Sequence, residues 1–281
     1  MLRYCRLIAA LLVALLGARH SPAADEPTPQ SSAATQAPAA TQGSLVICGG
    51  GSLPAKVLEQ FVELAGGSQG RLVVIPTAGS DKDADEADDI IRYWTELGLG
   101  SVSVLHTRDR QQADSAAFVA PLGTATAIWF GGGQQSRLAD CYLGTATEQA
   151  IVELFRRGGV IGGTSAGAAI QSRVMIESGN PVPKVTTGLD LLPGSIVDQH
   201  FLRRDRFNRL LKAVREHPDC VGVGIDEATA VVFRRGECRV LGVSFVTVVR
   251  ADAGPASLSV HTYRAGQTFR LTDMQQSTSS D

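Results

Sequence analysis

The stretch Gly162-Gly163-Thr164-Ser165-Ala166-Gly167-Ala168-Ala169 decides how this chain of 281 residues is organised. An amphipathic segment, Glu148 to Arg157, and a short apolar pair precede it, and small residues follow it, so the pattern predicts strand, tight turn and helix. Gly163, Ser165 and Gly167 form the G-x-S-x-G pattern of a nucleophile elbow. Such a turn holds the serine in a strained backbone, close to N–H groups that can stabilise an oxyanion. Gly/Ser-rich turns carry the same pattern by chance, so the motif needs support from other parts of the chain.

The composition is that of an ordinary soluble globular protein. Hydrophobic residues make up 44% of the chain and charged residues 19%, and the formal net charge is -2. The length suits one large domain with a substantial core. A charge so close to neutral argues against nucleic acid as a partner.

The N-terminal region has the features of a secretory signal peptide. Arg3 and Arg6 precede the apolar run Leu7 to Leu16, which is too short to span a bilayer permanently, and small residues follow it. We therefore predict a signal peptide over 1–24, cleaved near Ala18 or near 23–24, and a secreted or periplasmic protein without a stable membrane anchor. Residues 25–42 are rich in Pro, Ala, Thr, Ser and Gln, which predicts a disordered linker. The domain is expected over 43–273 and a flexible tail over 274–281.

Four cysteines remain after the predicted signal peptide, namely Cys48, Cys141, Cys220 and Cys238. Export permits disulfides, and Cys220 and Cys238 flank a predicted strand region and could form one. The alternative is that all four are small buried thiols. Their spacing is not that of a metal site, and no metal is expected.

From Ser44 onwards apolar strands alternate with amphipathic helices. Strands are predicted at 45–48, 71–75, 102–105 and 126–130, and helices at 54–65, 85–97 and 113–119. This alternation predicts an α/β fold with a mostly parallel sheet covered on both faces. In such sheets ligands bind beyond the carboxyl ends of the strands, where the glycine-rich turns of this chain fall.

A second motif, Phe130-Gly131-Gly132-Gly133-Gln134-Gln135-Ser136-Arg137-Leu138, runs from a strand through three glycines into a helix. The glycines let backbone N–H groups approach a substrate, and Gln135 offers a donor and acceptors. The motif lacks the Gly-Lys-Ser/Thr ending and the G-x-G-x-x-G spacing of nucleotide sites, so no nucleotide cofactor is expected. Beside Ser165, the loop could supply a second oxyanion N–H.

The region 172–197 contains three prolines and is predicted to be a long loop over the sheet edge. It is followed by a third motif, Asp198-Gln199-His200-Phe201-Leu202-Arg203-Arg204-Asp205-Arg206-Phe207-Asn208-Arg209-Leu210. His200 follows a short apolar segment, so its ring can reach the Ser165 turn from a strand end, although a histidine capping a strand has the same pattern. Arg206 and Arg209 are predicted on one helix face, where they are either solvated or placed to pair with a substrate carboxylate.

The fourth motif is Val221-Gly222-Val223-Gly224-Ile225-Asp226-Glu227-Ala228-Thr229-Ala230, in which a strand ends in two adjacent carboxylates. One of them could orient His200 and stabilise its imidazolium, as in triads on unrelated folds. The alternative is a hairpin turn, where Asp is common. The remaining segments, 239–250 and 258–263, alternate as antiparallel strands.

Together these motifs resemble the cyanophycinases, in the peptidase clan that also holds the aspartyl dipeptidases (peptidase E). The resemblance covers about 45–249. It implies a three-layer α/β/α sandwich of the class I glutamine amidotransferase type, with C-terminal antiparallel strands, and a homodimer. The chain departs from the family at Gln134, where the family has Asp or Asn.

The resemblance also implies roles for individual residues. Ser165 would be the nucleophile and His200 the general base, with Glu227 orienting the histidine and Gly133 and Ala166 forming the oxyanion hole. The residues implied to bind the aspartyl part of the substrate are Gln135, Asp198, Gln199, Arg204, Arg206 and Arg209.

The expected function is that of a secreted serine-type exopeptidase for β-linked aspartyl peptides. Cyanophycin, an aspartate polymer carrying arginine on its side chains, is the substrate that the resemblance implies, with release of β-aspartyl-arginine dipeptides through an acyl-enzyme. One alternative is the same chemistry on α-aspartyl or isoaspartyl dipeptides, and another is a non-catalytic binding protein on this fold. A glutamine amidotransferase would carry cysteine in place of Ser165, and the order Ser165, His200, Glu227 differs from that of α/β-hydrolases.

Overall fold

Strand β1 (Ser44–Cys48) separates two hydrophobic cores, one on each face of the central sheet. Leu45 and Ile47 lie in the larger core, Val46 and Cys48 lie in the other, and all four are fully buried. Because neighbouring side chains of a strand point to opposite faces, this pattern requires cover on both sides of the sheet. The fold is thus the predicted three-layer α/β/α sandwich.

The structure, a computed structural model, describes residues 43–80, 86–252 and 257–271. The predicted signal peptide (1–24), linker (25–42) and tail (274–281) lie outside the described residues. Among the described residues, no helix has the length and hydropathy needed to cross a membrane.

The strands of the described residues are β1 (Ser44–Cys48), β2 (Arg71–Ile75), β3 (Ser101–Val104), β4 (Ala127–Phe130), β5 (Val160–Thr164), β6 (Val174–Ser178), β7 (Lys184–Thr187), β8 (Ser195–Gln199), β9 (Val221–Ile225), β10 (Thr229–Arg234), β11 (Glu237–Gly242), β12 (Phe245–Ala251), β13 (Leu258–Arg264) and β14 (Thr268–Phe269). Eight of them form the central sheet, in the order β14-β11-β10-β1-β5-β4-β2-β3. The five strands from β1 to β3 in this order are parallel, and β10, β11 and β14 add an antiparallel edge.

Helices cover both faces of this sheet, and the two longest, Ala55–Ala65 and Ala146–Arg156, do so with an apolar face on opposite sides. In the first helix Val57, Leu58, Phe61, Val62 and Ala65 are buried at the three- and four-residue spacing of a helix, and they pack in the core on the Val46 side. The helices are α1 (Ala55–Ala65), α2 (Ala87–Glu96), α3 (Arg110–Ala113), α4 (Ala116–Thr124), α5 (Gln135–Tyr142), α6 (Ala146–Arg156), α7 (Ala166–Ala169) and α8 (Phe207–Glu216), with a 3₁₀ turn at Gly67–Gln69.

A second sheet, which the sequence did not predict, carries part of the candidate site. Its order is β13-β12-β9-β8; β8 and β9 are parallel, and the other pairs are antiparallel, as predicted for the C-terminal strands. Val197, Val223 and Val248 of this sheet join the larger core, and α8 packs with Ile196 and Val249 in a third apolar cluster. The chain therefore passes from β9 in this sheet to β10 in the central one through Asp226 and Glu227.

Several local predictions need correction. The region 172–197 is not one long loop, because it contains the β6–β7 hairpin and the beginning of β8. The predicted helix at 113–119 is two helices, α3 and α4. Arg206 precedes α8, so it does not share a helix face with Arg209. Strands β9 and β10 do not pair, so the turn between them is not a hairpin.

The cysteines of the described domain form no disulfide. Cys48, Cys141, Cys220 and Cys238 are all free and buried, and Cys220 and Cys238 lie in different apolar clusters. The alternative of four buried thiols is the one that the structure supports.

Candidate active site

Ser165 stands at the sharp turn between β5 and α7. Its backbone has φ 54° and ψ -110°, a conformation that costs a serine on the order of 1–3 kcal/mol. The turn is held by a hydrogen bond from its N–H to the carbonyl oxygen of Cys48 on β1, at 3.1 Å. The chain also passes very close to itself here, since a Cβ on Gly163 would lie 2.2 Å from the carbonyl oxygen of Gly167. This is the strained elbow expected from the G-x-S-x-G pattern.

Two hydrogen bonds join Ser165, His200 and Glu227 in a line. The Nε2 atom of His200 lies 2.9 Å from Ser165 Oγ, and its Nδ1 atom lies 2.6 Å from Glu227 Oε1. Since a carboxylate only accepts, Nδ1 carries a proton, and Nε2 of the neutral ring is then free to accept the serine proton. The arrangement is that of a nucleophile, a general base and a group that orients the base.

The turn after β1 makes room for the histidine ring. Gly50 has φ 109°, and a Cβ on it would lie 2.3 Å from Cε1 of His200. The carbonyl oxygen of Gly49 accepts the backbone N–H of His200 at 2.7 Å, which fixes the start of the loop after β8. The sequence marked this turn as a strand end, but it gave no sign of its contact with His200.

Asp226 and Glu227 have different partners. Asp226 accepts hydrogen bonds from the backbone N–H groups of Leu202 and Arg203, at 3.1 and 3.0 Å, and from Ser244 Oγ at 2.8 Å. Burial alone would raise the pKa of Asp226, but these hydrogen bonds outweigh it and hold the pKa below its usual value. Asp226 thus secures the loop that follows His200, while Glu227 contacts the imidazole.

The surroundings of His200 favour its neutral form. Burial lowers the pKa of the ring below its ordinary value of 6.5, and the positive charge of Arg204 lowers it further, although the hydrogen bond to Glu227 acts in the opposite direction. A neutral imidazole is the form that can accept a proton from Ser165.

A cavity of about 580 Å³ opens beside Ser165. Five of the six residues predicted to bind the substrate line it, namely Gln135, Gln199, Arg204, Arg206 and Arg209, together with Gly133 of the predicted oxyanion hole. The sequence did not predict the wall formed by the end of β6 and its turn, from Glu177 to Asn180. Because that stretch was expected to be an irregular loop, nothing in the pattern assigned it to the cavity.

The arginines of the cavity differ in how many hydrogen-bond donors remain available for a substrate. Arg209 is 3% exposed and uses Nε and Nη2 on the carboxylate of Asp198, at 2.8 and 2.5 Å, and Nη1 on the carbonyl oxygen of Gly179. Arg206 places Nη1 between the two oxygen atoms of Gln199, each 2.7 Å away. Arg204 is exposed, and its guanidinium makes no hydrogen bond to any described residue. The free hydrogen-bond donors therefore belong mainly to Arg204 and Arg206.

Asp198 does not line the cavity, contrary to its expected place among the binding residues. It is fully buried, and both of its carboxylate oxygens bind Arg209. Its charge also lies 3.8 Å from Nη1 of Arg206. Asp198 therefore holds the arginines in place from the buried side of the cavity wall.

The pKa of Arg206 is lowered to about 10, mainly by burial and also by the positive charge of Arg209, whereas the negative charge of Asp198 opposes this shift.

Gln135 is oriented by the hairpin opposite it. Its Nε2 donates to the carbonyl oxygens of Ile176 and Glu177, at 2.7 and 2.8 Å, so only its Oε1 remains for a ligand. The neighbouring Gln134 stands at the N-cap of α5 but makes no capping hydrogen bond with its side chain, which distinguishes it from the Asp or Asn preferred there. It lines the cavity instead.

The two residues expected to form an oxyanion hole, Gly133 and Ala166, come from different turns of the chain. Gly133 lines the same cavity as Ser165, in the turn before α5. Ala166 is the first residue of α7, so its N–H has no acceptor within that helix. Because α7 has four residues, its macrodipole is small, and any stabilisation depends on the individual N–H groups.

Comparison with known proteins identifies the family. The model of peptidase family S51 matches residues 45–241. The chain belongs to peptidase family S51. It is therefore a serine-type peptidase, in agreement with the Ser165 elbow.

The relatives of this S51 peptidase are consistent with that assignment. It is 37% identical to a cyanophycinase of Nostoc sp. over 228 residues, 75% of each chain, and 35% identical to that of Geminocystis herdmanii over 207 residues, 70% of this chain and 76% of the other. Among solved structures, a peptidase from an acI-B1 Actinobacterium is similar with a TM-score of 0.63 and 26% identity, over 82% of this chain and 98% of that one.

Proposed function

We propose that this S51 peptidase is an exopeptidase for β-linked aspartyl peptides and that its substrate is cyanophycin, which it degrades to β-aspartyl-arginine dipeptides. One line of support is its similarity to the cyanophycinases of Nostoc and Geminocystis herdmanii. The observation that carries the proposal is the hydrogen-bonded line of Ser165, His200 and Glu227 at the mouth of an arginine-lined cavity.

In the proposed reaction Ser165 Oγ attacks the aspartyl carbonyl carbon while His200 Nε2 accepts the serine proton. Glu227 stabilises the resulting imidazolium through Nδ1. When the tetrahedral intermediate collapses, the C–N bond breaks and His200 returns the proton to the leaving nitrogen, which leaves an acyl-enzyme. Water then attacks the ester by the same proton transfers, releasing the carboxylate product and restoring Ser165.

The cavity supplies the remaining groups. The N–H groups of Gly133 and Ala166 would bind the oxyanion, and preorganised donors of this kind typically contribute a factor of about 10² to 10³ each. Arg204 and Arg206 would bind a substrate carboxylate through their free nitrogens, and Gln135 would accept a donor through Oε1. Gln199 would fix Arg206, and Asp198 would fix Arg209.

A panel of substrates tests the proposal. Purified enzyme would be incubated with cyanophycin, isoaspartyl dipeptides and α-aspartyl dipeptides, and the products identified by mass spectrometry. We expect β-aspartyl-arginine from the polymer and slow turnover of both dipeptide classes. Rapid turnover of dipeptides with intact polymer would move the function to that of an aspartyl or isoaspartyl dipeptidase.

We further propose that the enzyme is exported and acts as a homodimer. The positively charged start, the apolar run and the small residues of 1–24 support export. The expected result is a mature N-terminus near residue 19 or 25 when the protein is recovered outside the cytoplasm and sequenced. A mass of twice the mature chain in light scattering would support the dimer, and the mass of one mature chain would refute it.

A further inference from the structure

The charges of the cavity beside Ser165 are divided between two elements. The positive charges come from the loop after β8 and from α8, as Arg204, Arg206 and Arg209. Among the described residues that line the cavity, the acidic one is Glu177, near the end of β6. A cavity with both signs of charge suits a ligand that carries both carboxylate and cationic groups.

Glu177 has a partner that is easily replaced. Its Oε1 lies 2.8 Å from Nζ of Lys184, the first residue of β7. The lysine side chain is 68% exposed and that of Glu177 is 22% exposed, so the pair lies where water weakens it. A guanidinium can bind a carboxylate through two parallel hydrogen bonds, which an ammonium group cannot do. A guanidinium entering the cavity would therefore compete well with Lys184.

The hairpin does not depend on the Glu177–Lys184 pair for its position. The carbonyl oxygens of Ile176 and Glu177 accept from Gln135, and that of Gly179 accepts from Arg209 at 2.8 Å. Asn180 Nδ2 donates to the carbonyl oxygen of Arg204 at 3.2 Å. These contacts use the backbone and the side chain of Asn180, so the hairpin keeps its position without the Glu177 side chain.

We propose that Glu177 is a specificity-determining residue that binds the guanidinium of an arginine in the substrate, displacing Lys184 as it does so. This inference rests on the proposed function and adds to it the group that selects arginine-bearing aspartyl substrates. Arg204 and Arg206 then bind a carboxylate of the same substrate while Glu177 binds its guanidinium. Lys184 occupies the carboxylate when no substrate is bound.

Two synthetic peptides of aspartate test the proposal, one carrying arginine on its side-chain carboxyls and the other carrying citrulline, which is nearly isosteric and uncharged. The wild-type enzyme should hydrolyse the arginine peptide with a kcat/KM about ten to a hundred times that for the citrulline peptide. Glu177→Gln should lose this preference by losing activity on the arginine peptide alone. Its activity on the citrulline peptide then also shows that it is folded.

Two further variants serve as controls. Glu177→Asp keeps the charge and should retain a preference for arginine above that of Glu177→Gln. Lys184→Met removes the competing cation and should keep the wild-type preference or increase it.

Three results would overturn the proposal. An unchanged preference in Glu177→Gln, or equal hydrolysis of both peptides by the wild type, would refute the role of Glu177 while leaving the peptidase function intact. Hydrolysis of neither peptide by the wild type would instead refute the proposed function, and this inference with it.

Discussion

At the scale of single residues, Asp226 and Glu227 are adjacent in the chain but act on different groups. Glu227 accepts a hydrogen bond from the imidazole of His200, and Asp226 accepts the backbone N–H groups of Leu202 and Arg203. The turn between two sheets directs the two carboxylates to these separate partners. A sequence with two neighbouring acids does not reveal which of them contacts the histidine.

The two carboxylates should therefore differ in mutation. Glu227→Gln leaves an amide that cannot stabilise the imidazolium, and we expect kcat to fall by about 10³- to 10⁴-fold. Asp226→Asn keeps an oxygen that can accept the same backbone N–H groups, and we expect mainly a rise in KM, about tenfold or less. Steady-state kinetics on cyanophycin would measure both. Full activity in Glu227→Gln, together with loss of activity in Asp226→Asn, would reverse the assignment.

The lowered pKa of His200 determines how activity depends on pH. Because the neutral ring is the active form, kcat/KM should stay high below pH 6.5, the ordinary pKa of histidine, and fall only when the ring becomes protonated. Replacing Arg204 with Gln removes a charge that lowers the pKa, so the acid limb should move to higher pH in addition to any rise in KM. If the acid limb of the pH profile lies at the same pH in that variant as in the wild type, Arg204 does not influence the pKa of His200 as proposed.

For the other site residues, the sequence predicted a binding cluster but not the contacts of each side chain within it. The motif around 198–209 correctly indicated a cluster of arginines, but it did not show that Asp198 lies behind them or that Gln135 spends both amide hydrogens on the hairpin. Sequence gives the type of a side chain, whereas its free hydrogen-bonding atoms depend on distant partners.

At the scale of elements, the turn after β1 has a function that its sequence does not show. Gly50 leaves the space that the ring of His200 occupies. We expect Gly50→Ala to displace the ring and to lower kcat by about 10²-fold or more, since small misplacements of catalytic groups have effects of that size. The variant would be assayed on cyanophycin after its fold is checked by circular dichroism.

Gly67 provides a matched control for that substitution. It also has a positive φ, of 54°, but nothing lies within 4 Å of its hypothetical Cβ. Gly67→Ala should lose about 1 kcal/mol of unfolding free energy through backbone strain and keep its activity. Equal losses of activity in the two variants would mean that the effect at Gly50 is general strain and not displacement of His200.

The β6–β7 hairpin was not predicted because of the prolines around it. Three prolines between 172 and 197 argue against strands, because proline cannot donate to a sheet. In the structure Pro181 and Pro183 lie in the turn between β6 and β7, and Pro193 precedes β8, so none of them interrupts a strand. The hairpin is also a separate two-stranded sheet, whose position depends on contacts with α5 and α8 residues distant in sequence.

At the scale of the whole molecule, local patterns predicted the central sheet but not the division into two sheets. The alternation of strands and helices from Ser44 to Phe130 specifies parallel neighbours and three layers. Strands β9 and β10 are separated by three residues, as in a hairpin, yet they belong to different sheets, because β10 pairs with β1 and β11 whereas β9 pairs with β8 and β12. The pairing of β10 with β1, which is far away in the sequence, leaves no local signal in the chain.

Burial of the four cysteines as free thiols predicts that the stability of the domain does not depend on a reductant. Burial raises the pKa of each of the four thiols, which suppresses the reactive thiolate. We expect the melting temperature to be unchanged by dithiothreitol, and peptide mapping to find Cys48, Cys141, Cys220 and Cys238 modified by a thiol reagent only after unfolding. A disulfide-linked peptide joining Cys220 and Cys238 would contradict the structure.

The most direct test of the proposed catalysis is digestion of purified cyanophycin by the wild-type chain and by Ser165→Ala, with products identified by mass spectrometry. We expect release of β-aspartyl-arginine dipeptides by the wild type and no release by the variant, which should still bind the polymer. Equal release by both proteins would show that Ser165 is not the nucleophile, and an intact polymer in both would contradict the proposed substrate.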